Sequence, residues 1–598
     1  MNNEMLTAIY GGPGSGKTNC LIKHVLDSIS HPDDISEYGM VTFTRAGARE
    51  ARQRVQQKLG LDDDTTLPFF RTVHSICYGL LGLREEMVAN ASERVLFARS
   101  KNMDITVDRN KPVAEMDTYV FEPAFMTDGD ILFGIYDWCS ARDLNPVDDF
   151  GICPVLKYAR SRFTESVVRE FIEGWEEFKA GAWTEYRSAR RDYSGRLYDF
   201  HDMLRLTLAT GRAPPVKKWH WDEFQDNYPL IYKIYRMWTS KPWVESVVIA
   251  GDPNQTIYTF AGANPQFFLN ELNAAGRTIP LTESHRCAEK IMVFANMLLE
   301  GIPEEQRVKW EMHTNRKGGI VDDLDFTEIA ETARAYAMAG DTVYILCRTN
   351  LQAFEVERLL SMSGVPNTWL KQEEYNGGSA WTRSVPEFIE AVRIFLSEDY
   401  IGVGYLKDLL GPMPAGRDRG DNGPGDPIIK WGSKEKLIAG KFATGGAMKT
   451  DALMDHLWPS TKMDVIKRLL YVLQEPSANN PYLGIALRKA MTDVNRGGWG
   501  GFNLPFRAQQ ISVGTMHSSK GKECDVAIAV TKMPRPASDA ILHDPGAMWD
   551  EVRVNYVAAT RARNALYIVY PDNVGIVWKS LSHIKSIQGV GDKWRYTT

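Results

Sequence analysis

The sequence predicts an α/β fold with more than one core, on three observations. Gly11-Gly12-Pro13-Gly14-Ser15-Gly16-Lys17-Thr18 is a complete G-x-x-x-x-G-K-[ST] phosphate loop, set between an apolar run, Leu6 to Tyr10, and a helix-like stretch, Cys20 to Leu26. Further apolar runs of strand length occur at Val343 to Cys347, Val526 to Val530 and Ala565 to Tyr570. The chain has 598 residues, too many for a single hydrophobic core.

Each element has a physical reading. In the phosphate loop, glycines let backbone N–H groups turn inward around phosphate oxygens, and the following helix adds its positive end. Lys17 can reach terminal phosphates and Thr18 can ligate Mg²⁺. Residues from about 83 to 198 read as mainly helical; Glu165 to Ala180 carries Phe, Ile and Trp at helical spacing. Within that region Arg187, Arg190, Arg191 and Arg196 lie near Tyr186 and Tyr193. Arginines among aromatics suit phosphates and stacked bases, and they equally suit a solvated helix face with ordinary charge pairs. Next comes Asp222-Glu223-Phe224-Gln225-Asp226. Nucleotide hydrolysis needs a carboxylate for Mg²⁺ and a second group to orient water, tasks that suit Asp222 and Glu223. A solvated acidic turn is the competing reading. The preceding Lys217 to Trp221 is mixed, whereas a central parallel strand should be nearly all apolar. Gly411 to Gly425, rich in glycine and proline, reads as an exposed loop.

Composition narrows the class. Hydrophobic content of 44% and charged content of 24% fit a globular protein, and no apolar run approaches membrane-spanning length. The first residues, Met1 to Glu4, do not read as a signal peptide. Seven scattered cysteines form no C-x-x-C pair, which argues against a zinc site or disulfide framework and for a reducing, cytoplasmic setting. With a net charge of −6, nucleic-acid binding would need a local basic surface.

Taken in order, the motifs resemble those of the UvrD/Rep/PcrA branch of superfamily 1 helicases. Gly11 to Thr18 and Asp222 to Asp226 are similar to motifs I and II, Val41 to Ala48 to motif Ia, and Thr72 to Ser75 to the next DNA-contacting motif. Gly251 to Tyr258 resembles motif III, Glu283 to Arg286 motif IV, Thr515 to Glu523 motif V, and Tyr556 to Ala562 motif VI. The resemblance runs from about residue 6 to 570 and implies two RecA-like motor cores, each with a mostly helical insertion. The implied limits are 1–82 with 199–275 for the first core and 83–198 for its insertion. The second core would take 276–369 with 508–598, and its insertion 370–507.

The resemblance also implies roles. ATP with Mg²⁺ would sit between the cores. Gly11, Gly12, Pro13, Gly14, Ser15, Gly16, Lys17 and Thr18 would cradle phosphate, with Asn19 and His285 toward the base. Thr18 and Asp222 would hold the metal, and Glu223 would orient water. Gln255 would sense the terminal phosphate, and Glu523 would contact ribose. Arg286 and Arg561 would act as arginine fingers from the opposite wall, where their charge counts only on closure. Phe43, His74, Tyr258 and Phe260 would stack or shape bases, and Thr44, Thr72, Thr515 and His517 would contact the strand backbone.

Departures from the family pattern bear on specificity. No glutamine motif precedes Gly11, Asn19 stands where relatives often have arginine, and His285 stands where they have tyrosine. Relaxed choice between adenine and guanine is the expectation. Phe260-Ala261 replaces a Trp-Arg pair, and no strand-separating pin or helix-hairpin-helix is evident. The expected function is an ATP-dependent translocase on single-stranded DNA and a 3′-to-5′ helicase acting at single-strand/duplex junctions in replication, repair or recombination. Partner proteins from those processes and a bacterial or phage source fit this reading. The alternative is a non-unwinding, ATP-switched DNA-binding subunit. A nuclease fusion is disfavoured by the short tail after motif VI, and a small-molecule kinase by the arginine fingers and motif III.

Overall fold

The computed structural model describes residues 3–570, except 30, 62–66, 106–126, 155, 157–159, 161, 182–194, 309–311, 371–383, 418–425, 442, 444–445, 474–482, 489–490, 492–506 and 542–543. Arg187, Arg190, Arg191, Tyr186 and Tyr193 fall outside the described residues. Arg196 is described; it pairs with Glu176 at 3.6 Å and lies 5.9 Å from the Tyr198 ring.

Two six-stranded parallel sheets organise the chain. The first contains β1 (Leu6–Gly11), β2 (Tyr38–Val41), β3 (Phe70–Arg71), β4 (Lys218–Trp221), β5 (Ser246–Gly251) and β6 (Arg277–Leu281), in the order β3-β2-β4-β5-β1-β6. In a parallel sheet all strands end on one edge, where ligands bind. Hence the phosphate loop after β1, Asp222 after β4 and Asp252 after β5 come together although far apart in sequence. Apolar residues cover both faces, among them Trp219, Trp221 and Ile249 on one side and Ile9, Val25 and Met40 on the other.

The mixed strand β4 is central after all. Trp219 stacks on Trp238 with ring centroids 5.3 Å apart. His220 is buried with its Nε2 3.1 Å from His24 Nδ1, and burial drives its pKa down to about 3, so the ring is a neutral core group. Lys218, at the strand's start, donates to the Tyr38 hydroxyl at 2.9 Å. The polar letters that disguise this strand are paired inside the core or sit at its end.

The second sheet holds β7 (Ile320–Leu324), β8 (Val343–Cys347) and β9 (Thr368–Trp369) before its insertion. Within the insertion lie β10 (Tyr400–Gly402), β11 (Ala415–Gly416), β12 (Ile429–Lys430) and β13 (Ala447–Lys449). The sheet resumes with β14 (Ile511–Thr515), β15 (Cys524–Val530) and β16 (Ala562–Val569), in the order β7-β16-β15-β8-β14-β9.

One sequence expectation is overturned. The second core is expected from residue 276, but β6 pairs in parallel with β1, so the chain leaves the first sheet only after Leu281. In the stretch Gly411 to Gly425, expected to be an exposed loop, Gly411, Ala415 and Arg417 are exposed, Met413 is buried, and Ala415–Gly416 pairs with Ile429–Lys430; residues 418–425 lie outside the described residues.

The insertions have cores of their own. Phe97, Phe133, Phe171, Trp175 and Phe178 pack together between residues 89 and 197, and Val392, Leu406, Leu409, Ile466 and Leu469 between residues 385 and 508. Helix Glu165–Ala180 begins at the Thr164 cap, which accepts from Val167 N–H, and stops at left-handed Gly181. Near its end Lys179, fully buried, reaches Asp199 at 2.8 Å, Asp202 at 2.7 Å and Glu176 at 2.9 Å. Burial opposes the lysine charge, and the three carboxylates more than offset it, raising its pKa. Replacing Lys179 with Met would leave buried carboxylates unpaired, at a cost of about 3–5 kcal/mol. A lower urea midpoint by far-UV circular dichroism is the expected result; an unchanged midpoint would refute it.

Candidate functional site

The phosphate loop is built as its sequence requires. Gly14 and Gly16 adopt positive φ, 70° and 81°, and a Cβ on Gly14 would come within 2.5 Å of Arg286 Cβ. Lys17, at the start of helix Lys17–Ser28, folds back to donate to the carbonyls of Gly11 at 2.8 Å and Gly12 at 3.1 Å. Gly11 and Gly12 are buried, so they shape the loop from beneath. Ser15 Oγ donates to Gly12 O at 2.8 Å.

Thr18 Oγ1 donates to Asp222 Oδ2 at 2.7 Å. A hydroxyl and a carboxylate thus converge at the loop, a hard-oxygen pair that suits Mg²⁺ alongside phosphate and water ligands. Burial, together with the neighbouring Glu223 charge, pushes Asp222 up to about 6. Glu223 has φ 51°, a strained value for a residue with a side chain. Its carboxylate accepts from the Gln225 amide at 2.5 Å. Burial pushes its pKa up, but Lys520, Lys17, Gln225 and Arg561 outweigh that and leave it ionised.

The second core closes over this loop. Ser284 Oγ donates to Pro13 O at 2.8 Å, and His285 N–H to Gly14 O at 3.0 Å. Arg286 Nε donates to Glu523 at 2.7 Å, and Glu523 also pairs with Arg563. Arg561 is buried; it donates to Val557 O at 2.8 Å and Lys522 O at 3.0 Å and reaches Gln255 Oε1 at 3.4 Å. Burial, with Arg286 nearby, pulls its guanidinium down to about 9. Gln255 in turn donates to Asp252 at 2.7 Å.

A continuous cleft of about 2570 Å³ runs from the phosphate loop to an aromatic cluster. There Phe43 and Tyr258 stack at 5.4 Å, Phe260 meets Tyr258 edge-on at 6.2 Å, and His517 of the second core meets Phe260 at 5.4 Å. Four residues singled out separately in the sequence therefore form one group. His74 lies along the cleft; its Nε2 is 2.9 Å from the Tyr228 hydroxyl, and burial drives its pKa down to about 3. Thr44 and Thr72 cap helices Arg45–Leu59 and Val73–Leu81 at the cleft wall.

Two assigned side chains sit elsewhere than expected, and a third stays at the cleft. Thr515 is buried, and its hydroxyl accepts from Ser518 N–H at 3.2 Å, so it shapes the turn carrying His517 and does not line the cleft. The His285 side chain is 68% exposed, 3.7 Å from Glu283 and outside the cleft lining. Asn19 is exposed on the cleft rim and accepts a hydrogen bond from Arg54 of helix Arg45–Leu59.

Sequence reasoning missed two contributors. Lys520 spans the cores, donating to Asp226 at 2.5 and 2.7 Å. Arg142, in the first insertion, donates to the carbonyls of Thr259 at 2.8 Å and Phe260 at 3.4 Å. Lys520 lay inside the motif V stretch, but its partner is 294 residues away; Arg142 carried no motif signal.

Phe260→Ala tests the aromatic group. One lost stacking surface is worth about 1–3 kcal/mol, so single-strand affinity should fall about tenfold, read by fluorescence anisotropy. Unaltered affinity would make Phe260 a packing residue only.

A phosphate loop, a metal-suited Thr–Asp pair, an ionised Glu beside it and arginines from a second α/β core define a P-loop nucleotide-hydrolysing motor. The chain belongs to the UvrD/Rep helicase family. Residues 2–275 match the UvrD/REP helicase N-terminal domain, and residues 500–573 match the UvrD-like helicase C-terminal domain. It is similar to proteins named ATP-dependent DNA helicase PcrA. The one from Staphylococcus aureus strain Mu50 is 23% identical over 628 residues, covering 94% of this chain and 80% of the relative. The strain MRSA252 protein is 24% identical over the same span. The Leuconostoc citreum protein is 23% identical over 402 residues, 61% of this chain and 49% of the relative.

Proposed function

We propose that this protein is an ATP-dependent DNA helicase that moves 3′ to 5′ along single-stranded DNA and acts at single-strand/duplex junctions. One observation carries this reading: a single cleft joins the phosphate loop and its carboxylates to an aromatic cluster built from both cores. Rings that accept any base give a sequence-tolerant track. Since His517 comes from one core and Phe43, Tyr258 and Phe260 from the other, a change in the gap between cores changes the track. Family membership and the names of the relatives favour unwinding over an ATP-switched subunit that only binds DNA.

The residues divide the work. Lys17 and the loop amides hold phosphates, and Thr18 with Asp222 would hold Mg²⁺, which neutralises phosphate charge when bound. Glu223 orients and deprotonates water. Arg286 and Arg561 bring the second core to the terminal phosphate, which Gln255 of the first core senses, and Glu523 contacts ribose. Arg54 donates to Asn19 at the proposed base end. Among the described residues no helix is long and apolar enough to cross a membrane. The setting we propose is the cytoplasm of a bacterium or of a phage-infected cell, with replication or repair proteins as partners.

The test is ATPase activity with and without oligo(dT), followed by unwinding of duplexes tailed at either the 3′ or the 5′ end. Stimulated hydrolysis and displacement from 3′-tailed substrates are expected. Absence of DNA stimulation would overturn the reading, and displacement only from 5′ tails would reverse the polarity.

A further inference from the structure

Arg142 sits where the first insertion meets the first core. Helix Asp128–Ala141 packs Ile131, Leu132, Ile135 and Tyr136 into the insertion's own core, which fixes the position of its last turn. Arg142 caps that helix. Its guanidinium lies 4.0 Å from the centroid of the Trp138 ring, and Nη1 donates to the Trp138 carbonyl at 3.3 Å. A planar fork held against an indole is fixed in direction as well as place. From there Nη2 donates to the Thr259 carbonyl at 2.8 Å and Nη1 to the Phe260 carbonyl at 3.4 Å.

Those carbonyls belong to the short turn Thr259–Ala261, none of whose residues is buried. The turn ends at Gly262, φ 97°, where a Cβ would stand 3.3 Å from Tyr228 Cβ and 3.4 Å from Ala141 Cβ. A glycine there suits both the left-handed backbone and the close approach of the insertion helix. Phe260 is half-buried and meets Tyr258 and His517 edge-on. Trp138, Arg142 and Phe260 line the same cleft. With part of its surface open to that cleft, the Phe260 ring depends on the backbone that carries it, and Arg142 holds that backbone at two carbonyls.

We propose that Arg142 is a positioning residue for the base track: from the first insertion it fixes the turn that presents Phe260, so that the insertion sets how tightly a single strand is held. This rests on the function proposed above. The rival role is direct contact, in which the guanidinium binds a strand phosphate. A phosphate contact acts independently of Phe260 and adds to the salt dependence of binding. A positioning residue acts through Phe260, so its effect disappears when that ring is gone, and the salt dependence stays as it was.

The experiment uses the full chain and measures oligo(dT) affinity by fluorescence anisotropy over a series of NaCl concentrations. Arg142→Met removes the charge and the fork. Arg142→Lys keeps the charge without the fork, and guards against misfolding of the methionine variant. Each is also made in the Phe260→Ala background. Alone, each Arg142 change should weaken affinity about fivefold, the scale of one or two lost hydrogen bonds. In the Phe260→Ala background the further loss should be less than about twofold. The slope of log affinity against log salt should keep its wild-type value in Arg142→Met. Losses that add across the two positions overturn the proposal, as does wild-type affinity in a folded Arg142 variant. A salt slope shallower by about one in Arg142→Met also overturns it and makes Arg142 a phosphate contact. If the wild-type chain does not bind oligo(dT), the function proposed above fails, and this inference with it.

Discussion

Glu223→Gln is expected to reduce ATP turnover at least about hundredfold, with ATP and single-strand binding retained, because a positioned general base contributes about 10²–10⁴ in rate. Glu223 sits at φ 51°, directly after the carboxylate that meets Thr18, and the Lys17 charge of the phosphate loop acts on its carboxylate. Burial alone would favour its neutral form, in which it could not take a proton from water. Lys520, Lys17, Gln225 and Arg561 reverse that preference and keep it ionised. Glutamine preserves the volume and can still accept from the Gln225 amide, so the turn has no reason to rearrange. The variant lacks only the negative charge and the basic oxygen. Hydrolysis at the wild-type rate, measured by phosphate release under saturating ATP, would exclude Glu223 as the water-orienting group. Loss of nucleotide binding along with turnover would point to a structural role instead.

Much of this architecture was legible because local rules and the final fold agree. The phosphate loop encodes its own turn through glycines, and β8 matches the apolar run Val343 to Cys347. Helix Glu165–Ala180 shows its buried face in Val168, Phe171, Ile172, Trp175 and Phe178. What was hidden is tertiary. β6 is an edge strand containing Pro280, with Arg277, Thr278 and Pro280 exposed, and nothing local says that it pairs with β1. β4 looked too polar because the partners of His220 and Lys218, namely His24 and Tyr38, lie some 180 or more residues away in sequence.

The site divides in the same way. Residues whose chemistry depends on their own neighbours, such as Lys17 and Thr18, could be named from the motif. Thr515 could not be judged so, because a hydroxyl can cap its own turn as easily as it can face a ligand, and here it bonds Ser518 N–H. Lys520 and Arg142 are defined only by what the fold brings to them.

Arg561→Ala should have the largest effect of all, a loss of kcat of about 10³ or more, the range for a guanidinium that meets phosphoryl charge in the transition state. Arg561 is 1% exposed, yet it is not a spare core arginine. Val557 and Lys522 carbonyls hold two of its edges, and Nη2 is aimed across the core–core boundary at Gln255, whose amide bonds Asp252 at the end of β5. Burial has already destabilised its charge, pulling the guanidinium down to about 9, so a nearby phosphate would relieve a penalty that water cannot. Because that relief is greatest when charge builds on the transferred group, the loss should fall on kcat far more than on oligo(dT) affinity. Arg286 is less enclosed and engages Glu523, so Arg286→Ala should combine a loss of kcat with weaker ATP binding. An alanine at 561 also leaves a cavity, and Arg561→Lys separates the two effects. Lysine restores bulk and charge but not the planar fork, so it should recover thermal stability without recovering turnover. If Arg561→Lys regained wild-type kcat, a point charge would suffice and the forked contact would be wrong; if Arg561→Ala itself turned over at the wild-type rate, the guanidinium would serve only to pack helix Pro545–Ala559 against the cleft.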